Sequence, residues 1–400
     1  MSKSKPKLTA VTTQAELPLG PTAVEFFAGI GLARMGLERA GFTISWSNDL
    51  EAAKREMYEA NFGDTPYHDF VLGDVRKVTG SELPPDVSLA WASSPCVDVS
   101  LAGARAGMQG ERSSTFYEFT RVLRELPAEK RPAVVTLENV VGLATSHGGE
   151  DLAAAISELN SLGYSVDVLT LDARWFVPQS RPRLFLVGAL DAPESHPGAN
   201  PRLRPEWLRA PFGDPSLKTH QALLPDIDIS DVGTLSDIVE DGDSDAVTWW
   251  DDERTAKFEQ SLSPVQAERL AVLREAEAVS HRTAYRRTRQ GVPMWEIRSD
   301  DIAGCLRTAR GGSSKQALVE VGFGRLRVRW MTGVEYARLM GAGDYALPPG
   351  LRDNQVLFGF GDAVCVPAVG WLAENYLMPL VDGRMRPASS NAKALTVVSA

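Results

Sequence analysis

The chain has 400 residues, of which 44% are hydrophobic and 24% charged, and a formal net charge of −10. This length predicts two or more domains, or one large domain with an insertion. No apolar run approaches the length of a membrane span, and the acidic balance argues against loose binding of nucleic acid by the whole surface. The three cysteines, Cys96, Cys305 and Cys365, cannot form a disulfide framework, and no Cys/His cluster has zinc spacing. We therefore expect no metal site, and a reducing cytoplasm.

The first 190 residues divide into a polar start and a regular α/β region. Residues 1–20 carry lysines but no apolar core, so they are predicted to be a disordered tail and not a signal peptide. Across residues 21–190, short apolar runs alternate with amphipathic stretches, which predicts a doubly wound, mostly parallel sheet. The predicted elements are strands at 22–27, 43–47, 87–92, 134–137, 165–171 and 184–187, and helices at 32–40, 52–61 and 151–162.

The composition changes after Gly188. The sequence becomes rich in Pro and Asp, with little periodicity, and later turns basic with scattered glycines. We interpret residues 191–324 as a separate, smaller module, 325–385 as a return to the first domain, and 386–400 as a disordered tail. Further helices are predicted near 263–279, 333–340 and 363–377.

Charge is distributed unevenly within the smaller module. Residues 281–329 carry eleven Lys/Arg and four Asp/Glu, a local charge of +7. Residues 226–253 carry eleven Asp/Glu and no Lys/Arg. A basic stripe beside an acidic segment permits a directed nucleic-acid face. A solvated surface with an acidic loop explains the same pattern equally well.

A glycine-containing turn follows the first predicted strand. The sequence Phe27-Ala28-Gly29-Ile30-Gly31 ends this strand and opens the first helix. Glycines let the backbone approach a ligand closely, and a helix N-terminus favours a negative group. Asp49 ends the second strand, where an acid can accept from a ribose hydroxyl, and Asp74 follows the third. The pattern indicates an adenosine-containing cofactor, with ordinary cap and turn residues as the alternative.

Two further strand ends carry a thiol and a carboxyl group. Ser94-Pro95-Cys96 follows the apolar run 87–92, and Glu138-Asn139-Val140 follows the run 134–137. On neighbouring strands, this pair would suit covalent chemistry on a heterocycle, because the thiolate adds to the ring while the acid protonates it. A lone cysteine is more often a small buried hydrophobic residue. The prediction of a catalytic cysteine therefore depends on its pairing with the glutamate.

In their order along the chain, these motifs resemble those of the DNA cytosine-5 methyltransferases, which use S-adenosylmethionine. The resemblance covers residues 22–188 and 325–380. It also rests on Gln179-Ser180-Arg181-Pro182-Arg183, on the loop from Gly103 to Arg112, and on the segment Arg329 to Gly341. It implies an α/β, Rossmann-like class I methyltransferase domain at 21–190, with 191–324 inserted as a target-recognition domain.

The resemblance also implies roles for individual residues. Cys96 would add to carbon 6 of a flipped cytosine, and Glu138 would hydrogen-bond ring nitrogen 3 and the exocyclic amine. Arg183, together with Arg181, would orient Glu138. The implied cofactor-binding residues are Phe27, Ala28, Gly29, Ile30, Gly31, Asp49, Leu50, Asp74, Val75, Pro95, Asp362 and Ala363. The predicted DNA-binding residues are Ser100, Arg105, Arg112, Gln179, Arg282, Arg286, Arg287 and Arg289.

Three positions depart from the family pattern. Val97 stands where the family usually has Gln, and Leu50 where many relatives carry an aromatic residue against the adenine. Asp362 stands where the family has Asn. Its carboxylate is predicted to change the affinity for the cofactor. The alternative is that Asp362 only caps a helix that starts near Ala363.

The leading functional prediction is a cytoplasmic, monomeric DNA cytosine-5 methyltransferase of bacterial or phage origin. It would act on double-stranded DNA in restriction-modification or defence, with any restriction endonuclease or defence protein as a separate partner, and without a membrane. The alternatives are the same fold acting on RNA or with a modified sulfonium cofactor, and a non-catalytic DNA-binding regulator. The set of Cys96, Glu138 and Arg183 argues against the regulator.

Overall fold

The computed structural model describes residues 20–94, 114–240, 247–289, 291–307 and 315–385. Its larger sheet has seven strands in the order β3-β2-β1-β4-β5-β7-β6. Strand β7 runs antiparallel to both of its neighbours, and the other pairs are parallel. The strands are β1 (Thr22–Phe26), β2 (Thr43–Asp49), β3 (Asp69–Leu72), β4 (Leu89–Ser93), β5 (Val134–Val140), β6 (Ser165–Asp172) and β7 (Pro182–Ala189). This architecture confirms the predicted doubly wound, mostly parallel sheet.

Helices cover both faces of this sheet. Alternate side chains of a strand point to opposite faces, so Ala23 packs in the core that contains Leu37, and Val24 in the core that contains Phe119. The first core lies under α1 and α2, and the second under α3 and α4. These helices are α1 (Leu32–Arg39), α2 (Ala52–Phe62), α3 (Ser114–Glu125) and α4 (Glu150–Ser161).

A second sheet has four antiparallel strands in the order β11-β10-β8-β9. Its strands are β8 (Ser280–Arg289), β9 (Val292–Ile297), β10 (Ala317–Gly322) and β11 (Arg325–Trp330). The preceding helices are α5 (Ala210–Gly213), α6 (Asp252–Gln260) and α7 (Pro264–Glu275). Phe258 of α6 and Leu270 of α7 pack against one face of this sheet and form a separate small core. We call residues 249–330 the small unit.

The contacts do not follow the predicted boundary at residue 191. Leu203, Leu224 and Ile227 are buried in the core of the large sheet. Arg204 forms a fully buried ion pair with Asp167 of β6. Residues 191–240 therefore pack as part of the larger body. Because this segment is irregular, the spacing of its apolar residues gave no sign of that packing.

The chain then returns to the larger body through four helical segments. These are α8 (Gly333–Leu339), α9 (Asp353–Asp362), α10 (Val366–Leu372) and α11 (Met378–Val381), the last preceded by a π-helical turn. Gly36 of α1 and Val369 of α10 are so close that a Cβ on Gly36 would lie 2.6 Å from the Val369 side chain. Residues Asp353–Val381 are long and apolar enough to cross a membrane, by length and composition only, and 67% of their most apolar window is buried inside the protein.

Candidate active site

The turn after β1 has the shape of a ligand cradle. Phe27, Gly29 and Gly31 have φ values of 57°, 58° and 82°, in the left-handed region that favours glycine. A Cβ on Gly29 would meet no atom within 4 Å, whereas a Cβ on Gly31 would lie 2.3 Å from the Phe62 ring. Gly31 is therefore required by packing, and Gly29 leaves open space at the turn.

Asp49 joins this turn to the end of β2. Its carboxylate accepts hydrogen bonds from the backbone N–H groups of Gly29 and Glu51, each at 2.8 Å. Burial raises the pKa of this carboxyl, although Lys54 and the two N–H groups oppose the shift. A carboxylate has about four lone-pair sites, so Asp49 retains capacity to accept from a ribose. The next side chain, Leu50, is 68% exposed and offers an apolar surface beside the turn.

Asp74 lies just beyond β3 and is engaged by its own neighbour. Its carboxylate accepts from the backbone N–H and the guanidinium of Arg76, and these hydrogen bonds hold its pKa below the ordinary value. Val75, by contrast, is buried in the core. The adenine contact expected of Asp74 stays a prediction, and it would have to share the carboxylate with Arg76.

Glu138 lies inside β5, opposite the end of β4. Its partner in the parallel register is Ser93, the last residue of β4. The Oε1 atom of Glu138 is 3.0 Å from Nε of Arg183, and the two side chains are 8% and 16% exposed. Burial raises the pKa of Glu138, against the opposing effect of Arg183 and Arg181. A carboxyl group with a raised pKa keeps its proton closer to neutral pH, as a general acid must.

Cys96 lies outside the described residues, as do Pro95, Ser100, Arg105 and Arg112. The chain that leads to Cys96 is described as far as Ser94. Asn139 donates a hydrogen bond from Nδ2 to the Ser94 hydroxyl at 3.3 Å. The two predicted strand ends are therefore neighbours, and the chain leaves β4 beside Glu138.

Arg181 does not hydrogen-bond Glu138, unlike Arg183. It is 2% exposed, and its Nη1 donates to the Leu306 carbonyl at 2.7 Å. Its Nη2 donates to the carbonyls of Gly361 and Ala363. These bonds join the start of β7 to the segment between β9 and β10 and to the end of α9. Arg181 therefore holds two segments of backbone and acts on Glu138 through its charge, which lowers the pKa of that carboxyl group. Its role in orienting Glu138 stays a prediction.

Gln179 was expected to contact DNA, and the structure places it in the interior. It is fully buried, and its Nε2 donates to the Leu339 carbonyl at 2.7 Å. Its Oε1 accepts from the backbone N–H of Leu306 at 3.2 Å. Because these bonds satisfy the amide inside the protein, Gln179 is a structural residue, and the predicted DNA contact is wrong.

A second thiol, which the sequence reasoning did not assign, lies beside the two arginines. The Sγ atom of Cys305 is 3.4 Å from Nη1 of Arg181 and 4.0 Å from Nη2 of Arg183. Burial alone would raise the pKa of Cys305, but these guanidinium groups and that of Arg307 outweigh it and lower the pKa to about 7. Cys305 is 122 residues from Arg183 in the chain, so no local motif could have predicted this contact.

Asp362 is the last residue of α9 and contacts α2. Its Oδ2 is 2.9 Å from Nζ of Lys54, which is also 3.2 Å from Glu51. The acidic neighbours outweigh burial and raise the pKa of Lys54. The next helix begins at Val366, with Cys365 as its N-cap. The predicted helix start near Ala363 is therefore wrong, and so is the alternative that Asp362 caps that helix.

The predicted DNA-binding arginines of β8 differ in their surroundings. Arg282 is half-buried and donates to the carbonyl of His281. Arg286 and Arg287 are exposed, and Arg287 lies 3.6 Å from Glu296. As neighbours in a strand, they point to opposite faces of the small sheet. The Arg289 side chain lies outside what the structure describes.

Where the chain is described, no group of three or more His, Cys, Asp or Glu side chains is placed to hold a metal ion. The described site instead has two parts. One is the turn after β1, which Asp49 joins to the end of β2. The other is the ion pair of Glu138 on β5 with Arg183 on β7. Both lie at the same edge of the large sheet, where the parallel strands end. Ligand sites of open α/β sheets occur at this edge.

The strand order, with one reversed strand next to the edge, defines an α/β methyltransferase fold. Similar folds occur in the Dnmt2 methyltransferase of S. pombe, with a TM-score of 0.55 and 16% identity over 91% of this chain and 99% of that one. They also occur in a putative DNA modification methyltransferase encoded within an E. coli prophage, with a TM-score of 0.50 and 16% identity over 89% and 98% of the two chains. At these identities the likeness shows the fold alone.

The model of the C-5 cytosine-specific DNA methylase family matches residues 22–377. The chain belongs to this family. It is 34% identical over 168 residues to the type II methyltransferase M.BsuFI of Bacillus subtilis, covering 42% of this chain and 39% of the relative. It is 26% identical over 365 residues to M.HpaII of Haemophilus parainfluenzae, covering 87% of each. The chain spans between 39% and 50% of the first three curated relatives.

Proposed function

We propose that this chain is a DNA cytosine-5 methyltransferase that takes its methyl group from S-adenosylmethionine. One observation carries the proposal: the buried pair of Glu138 and Arg183 lies beside the strand end that leads to Cys96. A buried carboxyl held by a guanidinium is suited to bind and protonate a ring nitrogen. Family membership supports the same chemistry.

In the proposed reaction, the Cys96 thiolate attacks carbon 6 of the cytosine and a sulfur–carbon bond forms. The electrons of the 5,6 double bond make carbon 5 nucleophilic, while Glu138 supplies a proton to ring nitrogen 3. Arg183 holds Glu138 in place through the 3.0 Å contact. Once carbon 5 has taken the methyl group, which would leave the cofactor as a neutral thioether, loss of the carbon 5 proton to water restores the double bond and expels the thiolate. Glu138 takes its proton back as the ring nitrogen is released.

The residues of the turn fit the proposed cofactor. S-adenosylmethionine, when bound, would supply a methyl group on a sulfonium. The open space at Gly29 allows close approach of a ligand to the backbone, and Asp49 offers its remaining lone pairs to ribose hydroxyls. Leu50 would cover one side of the adenine, because it is apolar and exposed beside Asp49.

Double-stranded DNA is the proposed substrate, and the small unit its proposed reader. The exposed Arg287, on the sheet face opposite α6 and α7, would contact phosphates or guanines of the duplex. Relatives named type II methyltransferases come from bacteria, which supports a bacterial or phage role in restriction-modification or defence. We propose a cytoplasmic monomer, with any endonuclease as a separate protein.

The test is to incubate the purified protein with radiolabelled S-adenosylmethionine and bacterial duplex DNA, and to map the product by bisulfite sequencing. We expect methyl groups on carbon 5 of cytosines within one short sequence. A Glu51→Gln protein is the matched control, because it removes a carboxylate near the turn but outside the proposed chemistry. Transfer to RNA but not to DNA, or to adenine, would contradict the proposal.

A further inference from the structure

Four aromatic rings form a box on the small unit. Trp250, Phe258, Trp295 and Trp330 have neighbouring ring centroids 5.2–6.1 Å apart, with no two rings parallel. They line a cavity of about 220 Å³ together with Pro293 and polar side chains.

The polar lining of this aromatic box is cationic. Arg254, Lys257 and Arg286 line it, and no Asp or Glu does. The Arg254 guanidinium lies 4.1 Å from the Trp250 ring centroid, and that of Arg286 lies 5.9 Å from the Trp295 ring centroid. Three cations disfavour a cationic ligand, such as a methylated ammonium group, and favour an anionic one.

Two of these cations are available for a ligand. Among the described residues, neither Arg254 nor Arg286 has a carboxylate within ion-pair distance, and Lys257 pairs with the exposed Glu253. A ligand for this box therefore combines a flat ring and a negative charge.

The aromatic box lies on the opposite face of the small sheet from the larger body. Arg286 pairs with Trp295 and shares its face with the buried Ala284. Leu318 points to the other face and packs in the core of the large sheet. The box is therefore separate from Glu138 and from the turn at Gly29, so neither the target cytosine nor the cofactor is its ligand.

We propose that the aromatic box binds a single unstacked nucleotide. Its base stacks on a tryptophan face, and its phosphate contacts Arg254 and Arg286. Stacking of a base on an aromatic side chain is sequence-tolerant, and arginine beside the ring supplies the charge. The nucleotide can be free or part of a single strand, since both present the same base and phosphate.

The test uses the fluorescence of the tryptophans in the full-length protein. We expect saturable quenching by deoxyadenosine monophosphate, and weaker quenching by deoxyadenosine, which lacks the phosphate. The double variant Arg254→Gln/Arg286→Gln should weaken binding of the monophosphate at least tenfold. Arg325→Gln, an exposed arginine of the same sheet outside the box, and Trp207→Phe, an exposed tryptophan elsewhere, should bind as the wild type does.

A second titration with an eight-residue single-stranded oligonucleotide identifies the source of the ligand. Tighter binding of the oligonucleotide than of the monophosphate, lost in the double variant, assigns the box to a nucleic-acid strand. Equal affinities assign it to a free nucleotide. Absence of saturable quenching by either probe, or unchanged affinity in the double variant, would overturn the proposal. None of these outcomes depends on methyl transfer, because the box shares no residue with the candidate active site.

Discussion

The guanidinium of Arg183 lies 3.0 Å from the carboxyl group of Glu138, where β7 runs antiparallel to β5. The reversed strand brings Arg183 opposite Val140, at the end of β5, and so turns a residue near the start of one strand toward the acid of the other. The antiparallel pairing of β5 and β7 thus positions the proposed general acid. Substitutions of Glu138 and Arg183 can be tested separately from substitutions near the proposed cofactor turn.

Replacing Glu138 should abolish proton donation and leave binding intact. We expect Glu138→Gln to lower kcat by roughly 10²–10⁴, the usual contribution of a positioned general acid. Binding of duplex DNA should change little, because Gln keeps the shape of the side chain. Single-turnover methylation and a gel-shift titration on the same protein measure the two effects. A Glu138→Gln protein with near wild-type kcat would exclude Glu138 as the acid.

Arg183 should act through the position of Glu138. In Arg183→Lys, the charge remains but the guanidinium geometry is lost, so we expect a lower kcat with a smaller change in KM. Arg183 also lowers the pKa of Glu138 through its hydrogen bond, and Glu138 must be protonated to act. Loss of that bond should therefore move the alkaline limb of the pH–rate profile to higher pH. A purely structural role would leave the profile in place and change only the thermal stability.

Asp362 should influence the cofactor through Lys54. The carboxylate of Asp362 is 2.9 Å from the Lys54 ammonium, and Lys54 also interacts with Asp49 of the turn. In Asp362→Asn, the Lys54 ammonium should interact more strongly with the carboxylates of Asp49 and Glu51. Asp49 would then be less available to ribose hydroxyls, so we expect the affinity for S-adenosylmethionine to fall two- to tenfold. Titration calorimetry gives the comparison, with Asp353→Asn at the exposed start of the same helix as the control. Equal affinities for the wild type and Asp362→Asn would leave this departure without a role in cofactor binding.

Glu25 should make stability depend on pH. It is 1% exposed, its Oε2 has no partner in the described structure, and burial raises its pKa to about 8. Because the folded state favours the protonated form, this group stabilises the fold below its unfolded pKa, and the contribution is lost as the pH rises through about 8. Glu25→Gln should therefore raise Tm relative to the wild type at pH 9 and matter less at pH 5. Thermal unfolding across this range, with the exposed Glu56→Gln as control, checks the sign.

The two described cysteines should differ in reactivity. The pKa of Cys305 is lowered to about 7, whereas burial raises that of Cys365 to about 12. In a Cys96→Ala background, a thiol reagent should label Cys305 with a midpoint near pH 7 and leave Cys365 unlabelled. Peptide mass spectrometry after brief labelling measures both. A midpoint for Cys305 above pH 9 would contradict the effect of the two arginines.

The sequence predicted the large sheet well, because its elements are local and periodic. Strands such as β1 and β6 are apolar runs next to amphipathic helices, and their bounds agree with prediction to within one or two residues. The same alternation of apolar runs and amphipathic stretches predicted that β4 and β5 are neighbouring strands. The turn at Gly29 could also be predicted, since a left-handed backbone favours glycine.

Contacts between distant segments could not be predicted in this way. The strands of the small unit carry arginines at successive positions, as in Arg286 and Arg287, which hides the alternation of a half-buried strand. The resemblance implied a DNA contact for Gln179, but its amide bonds Leu306 and Leu339, which lie more than 120 residues away in the chain. The contact of Cys305 with Arg183 could not be predicted for the same reason, because the two residues are 122 positions apart in the chain. Polar residues that satisfy one another across the fold leave no periodic pattern in the sequence.

The most direct test of the account is to trap the covalent step at Cys96. A DNA duplex that carries 5-fluorocytosine at the methylated position prevents loss of the group on carbon 5, so the sulfur–carbon bond should persist after methyl transfer. Incubation with S-adenosylmethionine, digestion and mass spectrometry should find the modified base on the peptide that contains Cys96, and no adduct in Cys96→Ala. An adduct on Cys305, or methylation by Cys96→Ala at the wild-type rate, would contradict the account.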